Sequence, residues 1–182
     1  MEPALISIDY MDSPIGAIEI QASAKGITQV IFCGTEKRAI KVNKITHSCK
    51  QQLNEYFAGK RKVFDLPLEQ QGTEFQKSVW ACLVKIPFGQ TLSYRDIADM
   101  LNNRKAVRAV GGANGRNPIG IILPCHRVIG TNGTLTGYAG GNERKLWLLK
   151  HEGIEVKGSK LNDKLDIKSV FHTRQTKTQF LK

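Results

Sequence analysis

SYRDIADMLNNRKAVRAVGGA, residues Ser93–Ala113, is the stretch on which the fold of this chain turns. Ser93 is a helix-opening residue. The eight residues from Tyr94 to Leu101 put Ile97, Ala98 and Leu101 on one face. Asn102–Asn103–Arg104 is a turn, and Ala106–Ala113 reads as a second helix. Two helices joined by about three turn residues predict a helix-turn-helix. The second helix is unusual for a groove reader, being mostly Ala, Val and Gly. So smooth a surface, with Ala109 and Gly112 along it, suits close approach to the minor groove, roughly 6 Å wide. Arg108 is then the one long side chain able to push into a base stack. Packing of small residues between helices accounts for the same composition, and at this point both readings stand.

Upstream, Thr73 caps a helix with Phe75, Val79, Trp80 and Leu83 on its apolar face, and Pro87–Phe88–Gly89 ends it. Gln70–Gln71–Gly72 marks a boundary. Before it, Leu5–Tyr10, Ala17–Ser23 and Ile27–Cys33 alternate as strands of an antiparallel meander, and Ile45–Phe57 has helical spacing. Val63–Leu68 reads as a further strand, confined to an edge by Pro67. Downstream, Gly115–Gly141 is glycine-rich and irregular, Arg144–His151 is a last helix, and the polar residues 157–182 read as a mobile or loosely packed basic tail. The expected division is an N-terminal α+β domain over 1–71, a mainly helical domain over 72–156 and the tail over 157–182, an α+β chain throughout.

The 182 residues carry 27 Lys and Arg against 16 Asp and Glu, a net charge of +11, and the excess lies almost wholly in the second half. A polyanion, nucleic acid first, is the partner such a balance suggests. Mean hydropathy is −0.28 and no apolar run approaches the ~18 residues of a spanning helix, so no membrane role is expected. The four cysteines, 33, 49, 82 and 125, have no C-x-x-C or zinc-ribbon spacing. With no basic-then-apolar leader pattern in Met1–Gly16, they read as free thiols of a reducing, intracellular compartment.

One cysteine stands apart. Pro124–Cys125–His126–Arg127–Val128 sets a thiol between a rigid proline and a histidine, with an arginine next. A thiolate is a nucleophile, and cationic or hydrogen-bonding neighbours favour it. His126, or a water it holds, is placed to take the proton, and a carboxylate can orient the imidazole. Carboxylates are scarce in this half, and Glu152, at the end of the last helix, is the best candidate. A buried structural cysteine and an ordinary exposed glutamate are the competing readings.

Gly72–Thr73–Glu74–Phe75–Gln76, Val79–Trp80, Ile86–Pro87, Ser93–Tyr94, Arg108–Ala109–Val110–Gly111, Asn117–Pro118 and Pro124–Ile129 follow one another in an order that resembles the O6-alkylguanine-DNA alkyltransferase family. Gly137–Tyr138–Ala139–Gly140–Gly141 and Leu148–Leu149–Lys150–His151–Glu152 continue the resemblance, which covers about residues 72–153. The first 70 residues are similar in layout to that family's ribonuclease-H-like domain. The resemblance implies a winged helix-turn-helix bound to the minor groove of double-stranded alkylated DNA, with Ser93, Tyr94, Arg108, Ala109 and Gly112 at the DNA. It implies that Arg108 replaces a flipped nucleotide and that Cys125 accepts the alkyl group once and irreversibly. His126 and Glu152 then form a water-linked relay, Tyr94 protonates the leaving guanine, Asn117 braces the active-site loop, and Val128, Tyr138 and Ala139 line the guanine pocket.

The family's structural-zinc motif has no match here, so neither metal nor organic cofactor is expected. The binding-only relatives carry tryptophan where this chain has Cys125, and Gly120 stands where some relatives have proline. Residues from Lys157 onward match nothing in the family. The expected state is a monomer in the cytoplasm, or in the nucleus of a eukaryote. A non-catalytic winged-helix regulator explains the charge and helix pair but not Pro124–Val128. A cysteine hydrolase explains Cys125 and His126 but not the smooth basic helix.

Overall fold

The apolar alternation near the start of the chain forms β1 (Ser7–Met11), β2 (Ile18–Ala22) and β3 (Ile27–Phe32), an antiparallel meander in that order. The structure is a computed structural model and describes residues 5–157 and 166–167. Ile18, Ile20 and Val30 are buried, and α1 (Lys44–Phe57) packs on β1 and β2 through Thr46, Cys49, Leu53 and Tyr56. Those positions recur at three and four, the period of one helix face. Asn43 and Thr46 cap α1 reciprocally, each side chain accepting the other's backbone N–H.

The strand expected over Val63–Leu68 does not form. Within this stretch only Leu68 bridges a strand, parallel to Ile27. The backbone of this stretch finds other partners. The buried Gln52 amide donates to the Asp65 carbonyl and accepts from the Asp65 N–H, at 2.9 and 2.8 Å. Pro67 supplies no N–H at all.

The chain divides into two compact units, one of Met1–Gln71 with Pro118–Ile122 and one of Gly72–Asn117 with Leu123–Lys182. Inside the first, Val30 donates to the Pro118 carbonyl and Gly120 donates to the Val30 carbonyl, both at 2.9 Å. The apolar run after Asn117 is therefore spent largely on β3, a long-range pairing that local patterning does not reveal.

The second unit holds α2 (Glu74–Leu83), α3 (Tyr94–Met100), α4 (Val107–Gly115) and α5 (Asn142–His151). The helix-turn-helix is α3 and α4. A single 3-10 turn over Arg104–Ala106 precedes α4, which starts one residue later and ends two residues later than the sequence suggests. α4 packs against both α2 and α3. Trp80, 1% exposed, crosses from α2 and donates its indole N–H to the Ala113 carbonyl at 2.9 Å. Ser93 caps α3: its hydroxyl accepts from the Asp96 N–H, and the Asp96 carboxylate accepts from the Ser93 N–H and hydroxyl.

A two-residue parallel pair, β4 (Leu92–Ser93) with β5 (Val128–Ile129), joins Leu92 to Val128 and Ser93 to Ile129. That pairing sets the first residue of α3, Tyr94, beside the turn that carries Cys125. Ile129, Leu135, Leu149 and Ile154 pack as one core cluster beneath it. After α5, β6 (Val156–Lys157) pairs antiparallel with β7 (Asp166–Ile167), so the expected tail begins with a paired strand; its other residues lie outside those described.

Replacing Trp80 by Phe removes the N–H and leaves the Ala113 carbonyl with only the 3.2 Å bond from the Arg116 N–H, which costs about 0.5–1.5 kcal/mol, with a further cavity cost for the smaller ring. Urea unfolding of Trp80→Phe should show that loss; an unchanged midpoint would mean that the contact does not hold α2 to α4.

Candidate active site

Cys125, His126 and Arg127 make one turn of 3-10 helix between Pro124 and β5. Cys125 is 5% exposed, and the His126 and Glu152 side chains are fully buried. Glu152 follows α5 directly, where its carboxylate meets this turn. His126 Nε2 lies 2.7 Å from Glu152 Oε1, Arg127 Nε donates to Oε2 at 2.8 Å and Arg127 Nη2 donates to Oε1 at 3.0 Å. The Gly89 N–H adds a bond to Oε2 at 3.2 Å, and Arg127 Nη1 donates to the Ile86 carbonyl at 2.6 Å. The ordinary exposed glutamate is thus excluded for position 152.

Burial alone would raise the Glu152 pKa, but His126 and Arg127 outweigh it and hold the carboxyl well below the usual range. Burial pushes the His126 pKa down despite Glu152, so the imidazole is neutral near pH 7. With the Nε2 hydrogen turned to Glu152, Nδ1 is the lone-pair nitrogen, and among the described residues it has no hydrogen-bond partner. Cys125 departs from the expectation of a favoured thiolate. Burial raises its pKa, against the opposing pull of the Asn117 side chain and the Lys145 charge. The resting group is a thiol.

Asn117 donates to the Leu123 carbonyl at 2.8 Å and also hydrogen-bonds the thiol, so it braces the turn from both sides. Tyr94 donates its hydroxyl to the Thr136 carbonyl at 2.7 Å. Val128 is buried, Tyr138 is half-buried and Ala139 is exposed. On α4, Arg108 and Ala109 are exposed and Gly112 half-exposed, with exposed Arg116 one turn beyond Gly112. This face is smooth between two guanidinium groups. Ser93 is placed differently from these: it is buried, and its side chain is spent on the α3 cap. Cys49 and Cys82 are buried, Cys33 is half-buried, and all are unpaired.

The sequence matches the family model of the 6-O-methylguanine DNA methyltransferase DNA-binding domain over residues 74–154 and that of the same proteins' ribonuclease-like domain over 6–70. This chain belongs to the 6-O-methylguanine DNA methyltransferase family. It is 49% identical over 151 residues to the methylated-DNA–protein-cysteine methyltransferase of Methanosarcina mazei, covering 80% of this chain and 96% of that one. The constitutive enzyme of that name from Bacillus subtilis is 59% identical over 109 residues, which cover 59% of this chain and 66% of the relative. The crystal structure of the Mycobacterium tuberculosis O6-methylguanine methyltransferase matches with TM-score 0.75 and 42% identity over 81% of this chain and 93% of that one. A structure of M. tuberculosis OGT in complex with DNA matches with TM-score 0.74 and 44% identity, covering 80% and 92%.

Two polar residues of this methyltransferase fold escaped the sequence reading. Lys145 is fully buried, and its ammonium donates to the Val128 and Thr136 carbonyls at 2.5 and 3.1 Å, 5.9 Å from the Tyr94 ring centre. Burial lowers its pKa to about 8, although the neighbouring thiol opposes this. The signal was its spacing: Lys145 stands three and four residues before Leu148 and Leu149, on the inner face of α5. Asn114, 1% exposed, donates to the Cys125 carbonyl at 3.3 Å from the inner face of α4.

His126 and Glu152 hold fewer protons folded than unfolded, since each pKa lies below its ordinary value of 6.5 or 4.5. Their contribution to stability is present above about pH 6.5 and fades as the pH falls through both values. Glu152→Gln leaves Arg127 uncompensated and should cost about 3–5 kcal/mol at pH 7.5. Urea midpoints between pH 7.5 and 4.5 should fall for the wild type and, because Glu152 is what holds the His126 pKa up, should start lower and fall more steeply for the variant. Equal slopes would free this cluster from any part in acid sensitivity.

Proposed function

We propose that this protein repairs DNA by direct reversal, as a methylated-DNA–protein-cysteine methyltransferase that moves the alkyl group of O6-alkylguanine onto its own Cys125. The observation that carries the reading is the buried thiol whose neighbour His126 is fixed by Glu152, in one unit with an exposed, small-residue helix bearing Arg108. α4 lies in the minor groove of duplex DNA, its Ala109 and Gly112 allowing close approach. Arg108 fills the gap left by the flipped nucleotide, at a few kcal/mol for unstacking. Val128, Tyr138 and Ala139 line the pocket that receives the base.

His126 Nδ1 takes the thiol proton by way of a water. Sγ attacks the alkyl carbon in line as the carbon–O6 bond breaks, its electron pair staying on the purine. Tyr94 gives its hydroxyl proton to the leaving guanine and is reprotonated afterwards, so the thiol proton is the one that balances the neutral product. Glu152 stabilises the imidazolium formed on the way, and Lys145 and Asn117 favour the thiolate. Water does not cleave the thioether, so each molecule acts once. The protein works as a monomer in the reducing compartment that holds the DNA, with its four free thiols in keeping with that setting. Phosphate neutralisation by the basic second half makes binding salt-sensitive and largely sequence-independent.

Mixed with a duplex carrying one O6-methylguanine, the protein should gain the mass of one methylene, stop there, and carry it on the Cys125 peptide. Tight binding with no mass change would make it a damage sensor or a regulator. Cys125→Ala should bind the duplex and transfer nothing. Arg108→Ala should lose more on duplex than on the free modified base; equal losses on the two would remove its wedge role.

A further inference from the structure

The Tyr94 hydroxyl sits in a cage built from both sides. Its ring lies along α4 at Gly111, where a Cβ would stand 3.9 Å from the ring. Its oxygen is so close to Gly137 that a Cβ there would lie 3.1 Å away, and the Gly137 φ of +68° admits glycine best. One turn beyond Gly111 comes Asn114, whose side chain hydrogen-bonds the Tyr94 hydroxyl; with the larger pull of the Thr136 side chain it lowers the tyrosine's pKa against the still larger effect of burial. A contact that lowers a phenol's pKa is one in which the amide donates and the oxygen accepts. The same amide donates to the Cys125 carbonyl. Asn114 Oδ1, by contrast, is buried and has no partner among the described residues. An amide kept for packing would be paired at both ends; here only the donor end is used.

We infer that Asn114 is a positioning residue for leaving-group protonation, its amide N–H groups pinning the Tyr94 oxygen and the Cys125 carbonyl in one frame. The inference rests on the alkyl-transfer reading above. At rest the phenolic hydrogen points to the Thr136 carbonyl. To reach the purine it has only to turn about the ring carbon–oxygen bond, because Asn114 holds the oxygen in place. The Thr136 carbonyl is not orphaned by that turn, since Lys145 also donates to it. When the carbon–O6 bond breaks and the proton passes to the purine, the Asn114 N–H remains on the phenolate oxygen and stabilises the charge left there.

The test compares methyl transfer from O6-methylguanine and from O6-methyl-8-azaguanine, each in the same duplex. The aza purine leaves as a weaker base and needs a proton donor less. Whatever Asn114 does for the thiol alone slows both purines alike and cancels in the ratio of rates. Asn114→Asp, isosteric but without the donors, and Asn114→Leu should slow the natural substrate by about 10²-fold and the aza substrate by far less. The aza-to-natural ratio should rise at least about tenfold, as it should for Tyr94→Phe. Melting curves and duplex affinity identify the variant that keeps its fold, and either variant suffices. An unchanged ratio in a folded variant overturns the inference, as does an unchanged ratio in Tyr94→Phe. A wild-type protein that never gains a methyl group sinks the alkyl-transfer reading itself.

Discussion

Every part of the site traces back to the carboxylate of Glu152. Its two oxygens take four contacts, from His126, twice from Arg127 and from the Gly89 N–H, and the Arg127 guanidinium carries the tie on to the Ile86 carbonyl. One acid thereby fastens the loop after α2, the turn that bears the thiol and the end of α5. Such a cluster gains little over apolar packing, because removing charges from water costs several kcal/mol per ion. What it supplies is direction. Arg127 and His126 are consecutive and share one carboxylate, which leaves the turn at Cys125 little freedom to rotate.

The same arrangement sets the proton inventory. Burial keeps His126 neutral and Cys125 protonated, while Arg127 and Glu152 cancel each other. The thiol–imidazole pair is uncharged at rest, and moving one proton from sulfur to imidazole creates opposite charges that Glu152 and Lys145 are already placed to meet. A thiol held in this way is a poor nucleophile until its proton has somewhere to go. That suits a group proposed to be used once, since a permanently exposed thiolate would be open to oxidation and to other electrophiles.

Local signals carried most of the second unit. Caps at Thr73 and Ser93 and the spacing of Val79, Trp80, Ile97 and Ala98 were enough to locate α2 and α3, and the scarcity of acids singled out Glu152. Long-range pairing was not legible. Val63–Leu68 has the composition of an edge strand, yet Gln52, from a helix read only for its apolar face, takes the Asp65 backbone. The run after Asn117 lies in a stretch legible only as glycine-rich and irregular, yet it pairs with Val30. Lys145 and Asn114 were hidden because a polar residue on an inner face becomes informative only when its partners are known, and those partners include backbone carbonyls in neighbouring loops and turns, beyond the reach of helical spacing.

α4 shows how the outer and inner tasks are joined. Its outer line, Arg108, Gly112 and Arg116, is a strip of small backbone between two cations, and its inner line, Val110, Ala113 and Asn114, is packed inward. Ala113 is where Trp80 anchors the helix, and Asn114 is where the helix touches both the cysteine turn and the tyrosine. Nine residues and the capping Arg116 therefore carry the surface proposed to meet DNA and the amide proposed to hold the proton donor. The two are rigidly linked by the helix itself. Small residues serve both sides of this arrangement: outside they let a backbone approach a groove, and at Gly111 they leave room for the Tyr94 ring, so the composition that makes α4 a poor major-groove reader is the one that the site requires.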